Sequence, residues 1–96
     1  MKALYDTEAN AIEVALVDVD RVETDVAAHP CGNVALAGGR PVSVELLEVR
    51  AGVDDAIRAV VARFAEIDGD ALRAAADAAL RVPGREVDIA VAAAAA

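Results

Sequence analysis

Residues 33–49 read Asn-Val-Ala-Leu-Ala-Gly-Gly-Arg-Pro-Val-Ser-Val-Glu-Leu-Leu-Glu-Val, and this stretch decides the fold. Apolar residues alternate with small or polar ones on both sides of Gly38 and Gly39, which is the period of strands with one buried face. The stretch therefore predicts a β-hairpin. A three-residue loop beginning at Gly38 places Val34 opposite Val44 and gathers the large apolar side chains on one face, so we predict that loop rather than a two-residue one.

The residues before this hairpin predict short strands separated by polar turns. These strands are residues 2–5, residues 11–17 and, as a short strand or an extended edge, residues 21–26. Asp6 and Asn10 suit the first turn, because Asp accepts hydrogen bonds from backbone N–H groups further along and Asn tolerates a left-handed conformation. Residues 28–32 are expected to form a loop, since Pro30 restricts His29 to extended conformations.

The hydrophobic period changes from two residues to 3.6 after Gly52. Residues 54–68 predict a first helix that ends at Gly69, and residues 70–81 predict a second. The apolar stripe of the first helix consists of Ile57, Val60, Val61, Phe64 and Ile67. Ion pairs one turn apart are predicted for Asp54–Arg58, Asp70–Arg73, Arg73–Asp77 and Asp77–Arg81. Alternation returns over residues 85–91 and predicts a final strand.

Together these elements predict an α+β fold with an antiparallel sheet of about four strands. Two helices pack on one face of that sheet, and the C-terminal strand returns to an edge. We expect one domain over residues 1–96, with a sheet region at 1–50, a helical pair at 53–81 and the final strand at 85–91. Separate domains of about fifty residues would each be marginally stable, so the helices need the sheet.

The charge of the chain limits its partners. Seventeen acidic residues against nine basic ones give a formal net charge of −8. Affinity for nucleic acid comes from clustered Lys and Arg, so we expect no nucleic-acid partner. The acids either form a solvated surface that keeps the protein soluble or a face that meets a basic partner. Charged residues interrupt the Ala-rich segments, and no membrane span is expected.

The cysteine content predicts a cytoplasmic protein. Cys31 is the single cysteine, so no internal disulfide can form, and the N-terminal residues become polar too early for a signal peptide. Cys31 and His29 combine a thiol with an imidazole, but residues that flank one proline usually project apart. One Cys and one His also cannot supply the four ligands of structural zinc. We therefore predict no catalytic residue, no metal site, no cofactor and no enzymatic activity.

Several segments in the first half of the chain match the strands and turns of a known family. These pieces are Tyr5-Asp6 with Glu8-Ala9, and residues 11–16, 22–24, 33–36 and 39–47. With these pieces, residues 1–50 resemble domain-of-unknown-function family 2283, a set of small bacterial and phage-encoded domains with a sheet-forming core. Asn10 stands where that family usually has an aspartate, and the loop at Gly38 is shorter than the family's acidic loop. The resemblance implies a bacterial sheet domain, and the family carries no activity to transfer.

The second face of the predicted sheet provides a hypothesis for function. It is expected to carry Ala3, Ala15, Ala35 and Ala37 as a candidate interaction face, because an uncovered apolar face usually meets a partner. We predict a non-catalytic interaction domain that forms a homodimer. The alternative is an antitoxin-like binder of a basic toxin protein. The competing class is a metal-binding protein or thiol-dependent enzyme that uses His29 and Cys31.

Overall fold

The computed structural model describes residues 1–19 and 21–90. Within these residues six strands form one antiparallel sheet, two α-helices follow, and a short 3₁₀ turn covers Val49–Ala51. The elements are β1 (Lys2–Asp6), β2 (Ala11–Ala15), β3 (Thr24–His29), β4 (Gly32–Ala37), β5 (Arg40–Leu46), α1 (Asp54–Arg63), α2 (Gly69–Arg81) and β6 (Val87–Asp88). The strand order is β3-β4-β5-β2-β1-β6. The predicted α+β class is therefore confirmed.

In the β4–β5 hairpin Val34 pairs with Val44, as predicted, but the loop that joins the strands differs from the prediction. Its loop has two residues rather than three, since Ala37 pairs with Arg40. Gly38 and Gly39 have φ angles of 60° and 75°, the left-handed conformations that a type I′ turn requires at both positions. A β-bulge then adds one residue to β5 and restores the pairing of Val34 with Val44. The predicted loop was wrong, whereas the predicted pairing of the two valines is confirmed.

The bulge residue of β5, Val42, also makes hydrogen bonds with the residues that follow β2. Val42 lies between Pro41, which pairs with Leu36, and Ser43, which pairs with Ala35. The carbonyl oxygen of Val42 accepts hydrogen bonds from the two residues that follow β2, at 2.9 Å from Leu16 N and at 3.4 Å from Val17 N. The bulge therefore fixes the place where β2 stops pairing with β5.

The β1–β2 turn forms as its residues predict. Asp6 Oδ1 accepts hydrogen bonds from the backbone N–H groups of Glu8 at 2.9 Å and Ala9 at 3.2 Å. Asn10 adopts a φ of 52°. Its side-chain oxygen also accepts a hydrogen bond from the backbone N–H of Arg50 at 3.0 Å, which ties this turn to the residues that follow β5.

The segment between β3 and β4 is a tight hairpin rather than the predicted loop over residues 28–32. β3 extends through His29 and β4 begins at Gly32, so only Pro30 and Cys31 lie between the strands. The turn is closed by a side chain, because Cys31 N donates a hydrogen bond to His29 Nδ1 at 3.0 Å. The predicted loop was wrong at both ends, because the extended conformation that Pro30 imposes on His29 is also the conformation of a strand residue.

The first helix is shorter than predicted, the second is as predicted to within one residue, and their ion pairs differ from the prediction. α1 ends at Arg63, and α2 begins at Gly69 with Asp68 as its N-cap, whose Oδ1 accepts a hydrogen bond from Ala71 N at 3.1 Å. The Asp54–Arg58 pair is replaced by Arg58 with Asp55, at 3.1 Å. The described Arg73 pair crosses between helices, with Arg73 Nη1 at 2.6 Å from Asp54 Oδ1. For Arg73, proximity to the other helix therefore outweighed spacing along its own helix, whereas Arg58 pairs within α1 at a spacing of three residues instead of four.

One face of the sheet carries the core. α1 packs over β3 and β4, and α2 packs over β1 and β2. The fully buried sheet residues Ile12, Val14, Val34, Val44 and Leu46 meet Val60, Leu72, Ala75, Ala76 and Ala79 of the helices in one cluster. The alanine face of α2 permits a close approach to the sheet. Both helices therefore lie on the same face, as predicted, and the other face is uncovered.

The final strand is shorter than residues 85–91. β6 pairs with Lys2 and Ala3 of β1 at the sheet edge, and Ile89 N donates a hydrogen bond to Met1 O at 2.8 Å. The predicted edge position is confirmed, while Val91 lies outside the described residues. Within residues 1–19 and 21–90, none of the helices has the length and apolar character needed to cross a membrane.

Candidate functional site

The face of the sheet opposite the helices carries two rows of side chains. In the first row Glu13 of β2 lies opposite Glu45 of β5, which in turn lies opposite Asn33 of β4. The second row consists of Ala15, Ser43, Ala35 and Asp25, one residue on each of four neighbouring strands. Successive residues of a strand point to opposite faces, so these positions share the face that the helices leave open. We call this surface the open face.

The open face is concave and acidic at its centre. It forms a cavity of about 410 Å³ that is open to solvent. The cavity is lined by Glu13, Val22, Asp25, Ala27, Asn33, Ala35, Ser43 and Glu45. Three of these residues are carboxylates, and none of the described residues in this lining is Lys, Arg or His. Val22, from the connection between β2 and β3, closes one side of the cavity.

The surroundings of Glu13 disfavour its charge. Partial burial raises the pKa of the Glu13 carboxyl above its ordinary value, and the nearby charge of Glu45 raises this pKa further. A hydrogen bond with Ser43 acts in the opposite direction, and the charge of Asp25 adds a smaller upward effect. Like charges directly opposite each other in a sheet are destabilising. The negative charge gathered in the cavity therefore reduces the stability of the folded protein.

Glu45 has one polar neighbour that partly offsets this repulsion. Asn33 Nδ2 donates a hydrogen bond to Glu45 Oε1 at 3.4 Å, a long and therefore weak contact. A carboxylate accepts through two oxygens, so most of the hydrogen-bonding capacity of Glu45 stays free. The open face can thus accept several further hydrogen bonds from a cationic donor.

The predicted interaction residues are divided among different surroundings. Ala15 and Ala35 do lie on the open face, flanking Ser43. Ala3 does not, because it pairs with Val14 and is 1% exposed within the helix-covered core. The prediction that Ala3 lies on the uncovered face was wrong, because Ala3 is one of the β1 residues whose side chains point toward the helices. Ala37 lines a separate apolar groove at the end of the sheet. The open face is thus acidic and polar, not the alanine surface that was predicted.

His29 and Cys31 line the same cavity, and the contact between them joins the imidazole to the backbone N–H of Cys31 rather than to its thiol. Both line a cavity of about 400 Å³ beside the start of α1, together with Asp54, Asp55 and Arg58. His29 Nδ1 is occupied as an acceptor for Cys31 N–H, so a ring nitrogen closes the turn. In the part of the chain that the structure describes, no group of three or more His, Cys, Asp or Glu residues is arranged to hold a metal ion.

Glu13, Asp25 and Glu45 were not selected from the sequence as site residues. The sequence shows only that Glu13 and Glu45 occupy polar positions of alternating strands. Such positions are typical of any solvated face, so they do not indicate a site. They come together because β5 inserts between β4 and β2 in the sheet, so strands distant in sequence become neighbours. Strand order of this kind is not encoded in the pattern of either strand alone.

No protein-family model, curated protein or solved structure matches this chain. The resemblance of residues 1–50 to domain-of-unknown-function family 2283 therefore stays a prediction. The function is argued below from the geometry of the open face.

Proposed function

We propose that this protein is a non-catalytic interaction domain whose open face binds a positively charged segment of another protein. The observation that carries the proposal is the direct opposition of Glu13 and Glu45 across β2 and β5, within a concave surface that also includes Asp25. A lysine or arginine side chain in the cavity would approach all three carboxylates. Its charge would remove the repulsion between them.

The chemistry of the surface favours a basic partner over a second copy at this site. Two copies that met through their open faces would bring six carboxylates together, since each cavity contributes Glu13, Asp25 and Glu45. Like charges placed opposite each other in an interface cost several kcal/mol of binding free energy, which is enough to exclude a partner. A basic toxin captured by an antitoxin-like binder is one partner of the complementary chemistry.

The shape of the open face suits an extended segment. The cavity is shallow and spans four adjacent strands, so a chain laid across it would contact carboxylates from β2, β3 and β5. Arginine fits best because its planar fork of donors matches carboxylate oxygens in pairs. Small side chains at Ala15, Ala27 and Ala35 leave room for the aliphatic part of that arginine.

Binding of an oligo-arginine peptide tests the proposal. Affinity is measured by calorimetry at low and high salt for the parent protein, for Glu13→Gln and for Glu45→Gln. Each substitution should weaken binding about two- to fivefold, the range that exposed ion pairs reach. Glu8→Gln is the matched control, because Glu8 is an exposed acid in the β1–β2 turn, away from the cavity. Equal losses for all three variants would mean that only net charge attracts the peptide.

A second candidate function uses the cavity that His29 and Cys31 share beside α1. A thiol-dependent enzyme would need both side chains, together with a carboxylate such as Asp54 or Asp55. A metal-binding protein would need the same side chains to move closer together, because these described residues do not form a metal-holding group. The test is to replace His29 and Cys31 with alanine and to measure the metal content of protein purified from its source cells. Unchanged metal content and unchanged growth of cells carrying the variants would reject this function.

A further inference from the structure

One row of side chains crosses the open face from β1 to β3. Its members lie opposite one another on neighbouring strands, in the order Leu4, Glu13, Glu45, Asn33 and Ala27. Directly opposite residues of an antiparallel sheet share a face, so the row that contains the two opposed carboxylates begins at a leucine. We call these five residues the Leu4 row.

Leu4 departs from the pattern of its own strand. Ala3 and Tyr5 of β1 are buried under the helices, so Lys2, Leu4 and Asp6 point to the open face. Exposed positions of a half-buried strand are usually polar, yet Leu4 is 39% exposed. Among the described residues, the other exposed large apolar side chains belong to the β2–β3 connection and to α2. A single exposed leucine is common on protein surfaces, but this one lies in register with the acidic pair.

The charge of the open face changes along the Leu4 row. None of the four ion pairs formed among the described residues involves a carboxylate of the cavity. At the β1 end, Lys2 lies two residues from Leu4 on the same side of the strand, and it pairs in register with Asp88 of β6. Opposite charges offset each other there. The open face is therefore acidic at its centre and close to neutral around Leu4.

The spacing of the row matches that of an extended segment. Neighbouring strands lie about 4.8 Å apart, so the point midway between Glu13 and Glu45 is about 7 Å from Leu4 along the row. In an extended chain, every second side chain points to the same side, and such residues are separated by about 6.7 Å. A segment that crosses the strands can therefore place a basic side chain between the two carboxylates and its second neighbour over Leu4.

We propose that the partner segment carries an apolar residue two positions from the basic residue that binds Glu13 and Glu45. This inference rests on the proposed function and adds a second requirement that the partner must meet. The basic side chain meets the carboxylates, and the apolar side chain removes Leu4 from water. A second basic residue over Leu4 would gain little, because that end of the face is close to neutral. A segment that is basic throughout is therefore not the best ligand.

Peptides of equal charge test this pattern. The affinity of Ser-Arg-Ser-Arg-Ser-Leu-Ser is compared by calorimetry at low salt with that of the same peptide carrying serine in place of leucine. Both peptides are also made in reverse order, since a segment can cross the face in either direction. In one of the two orders leucine should tighten binding about three- to tenfold, as expected for the partial burial of a leucine side chain.

A shifted peptide controls for the register. In Ser-Arg-Ser-Arg-Leu-Ser-Ser the leucine is next to an arginine, and adjacent side chains of an extended segment point to opposite sides. The shift should therefore remove the gain that leucine provides. An equal gain at both positions would overturn the inference, because leucine would then act without the predicted spacing.

Two variants of the protein locate the contact. Leu4→Ser should make the leucine and serine peptides bind equally, whereas Leu80→Ser should keep the difference between them. Leu80 is the matched control, because it is 36% exposed and belongs to α2, which packs on the other face of the sheet. A leucine gain that survives Leu4→Ser would overturn the inference.

The serine peptide separates the two proposals. Its binding should weaken in Glu13→Gln and in Glu45→Gln, as the proposed function requires. If it does so and leucine adds nothing in the parent protein, the inference fails and the proposed function stands. If the serine peptide does not bind, or binds the parent and both variants equally, the inference and the proposed function fail together.

Discussion

Glu13 and Glu45 lie directly opposite each other on the two central strands β2 and β5, with no described base lining the cavity they share. Opposed carboxylates in a sheet reduce stability, and the raised pKa of Glu13 has partial burial and Glu45 among its causes. A position that reduces stability without improving packing is typical of a binding surface, where a partner supplies the missing charge. The same pair therefore connects the stability of the fold with its proposed function.

Glu13→Gln should stabilise the protein at neutral pH. Because the pKa of Glu13 is raised in the folded state, folded protein holds this proton more tightly than unfolded protein, and stability is lost as pH rises above the ordinary value of 4.5. Glutamine carries no charge and does not titrate, so the free energy of unfolding of the variant should exceed that of the parent by about 0.5 kcal/mol at pH near 7. Well below pH 4.5 the difference should vanish, since Glu13 is then protonated in both the folded and the unfolded state. Urea unfolding at both pH values measures it, with Glu8→Gln as the unaffected control.

Gly32→Val should destabilise the contact between α1 and the sheet. A Cβ at this position would lie 3.2 Å from Val60 Cγ2 and 3.4 Å from Ala56 Cβ, and valine adds two further methyl groups. Overpacking of this kind costs about 1–3 kcal/mol. Ala27→Val on the exposed side of β3 is the control and should change the free energy of unfolding by less than about 0.5 kcal/mol. Similar effects at both sites would show that α1 does not press on Gly32.

The two loop glycines of the β4–β5 hairpin should respond unequally to substitution. Both have positive φ angles, and nothing lies within 4 Å of a Cβ built at either one. A type I′ turn accepts asparagine at its first position and prefers glycine at its second. Gly38→Asn should therefore leave the midpoint of thermal unfolding nearly unchanged, and Gly39→Val should lower stability by about 1–2 kcal/mol. Equal losses would contradict the two-residue loop.

His29→Ala should weaken the β3–β4 turn by about 1 kcal/mol, because Cys31 N would lose its acceptor. His29→Asn should recover most of that loss, since an amide oxygen can accept the same N–H. Amide hydrogen exchange at Cys31 measures the effect directly. If exchange at Cys31 is equally slow in the parent and in His29→Ala, the imidazole is not the acceptor.

Local patterns in the sequence determined much of the secondary structure. The alternation around Gly38 and Gly39 predicted a hairpin, and the turn at Asp6 and Asn10 was correct because side chains within a few residues decide it. The α+β class and the shared face of both helices were likewise predicted. Errors arose at the ends of elements, as in the two-residue loop at Gly38 and Gly39 and in the early end of α1 at Arg63, beyond which Ile67 still packs in the core.

The candidate site could not be read from the sequence for the same reason. Alternation specifies which residues of a strand share a face, but not which strand lies beside it. Glu13 meets Glu45 because β5 pairs with both β4 and β2, and Ala3 is buried because α2 packs over β1. The sequence determined the elements and their buried sides through the periodicity of apolar residues. Only the tertiary structure decided which charges came together, because strand order and helix docking are set by the packing of the whole core.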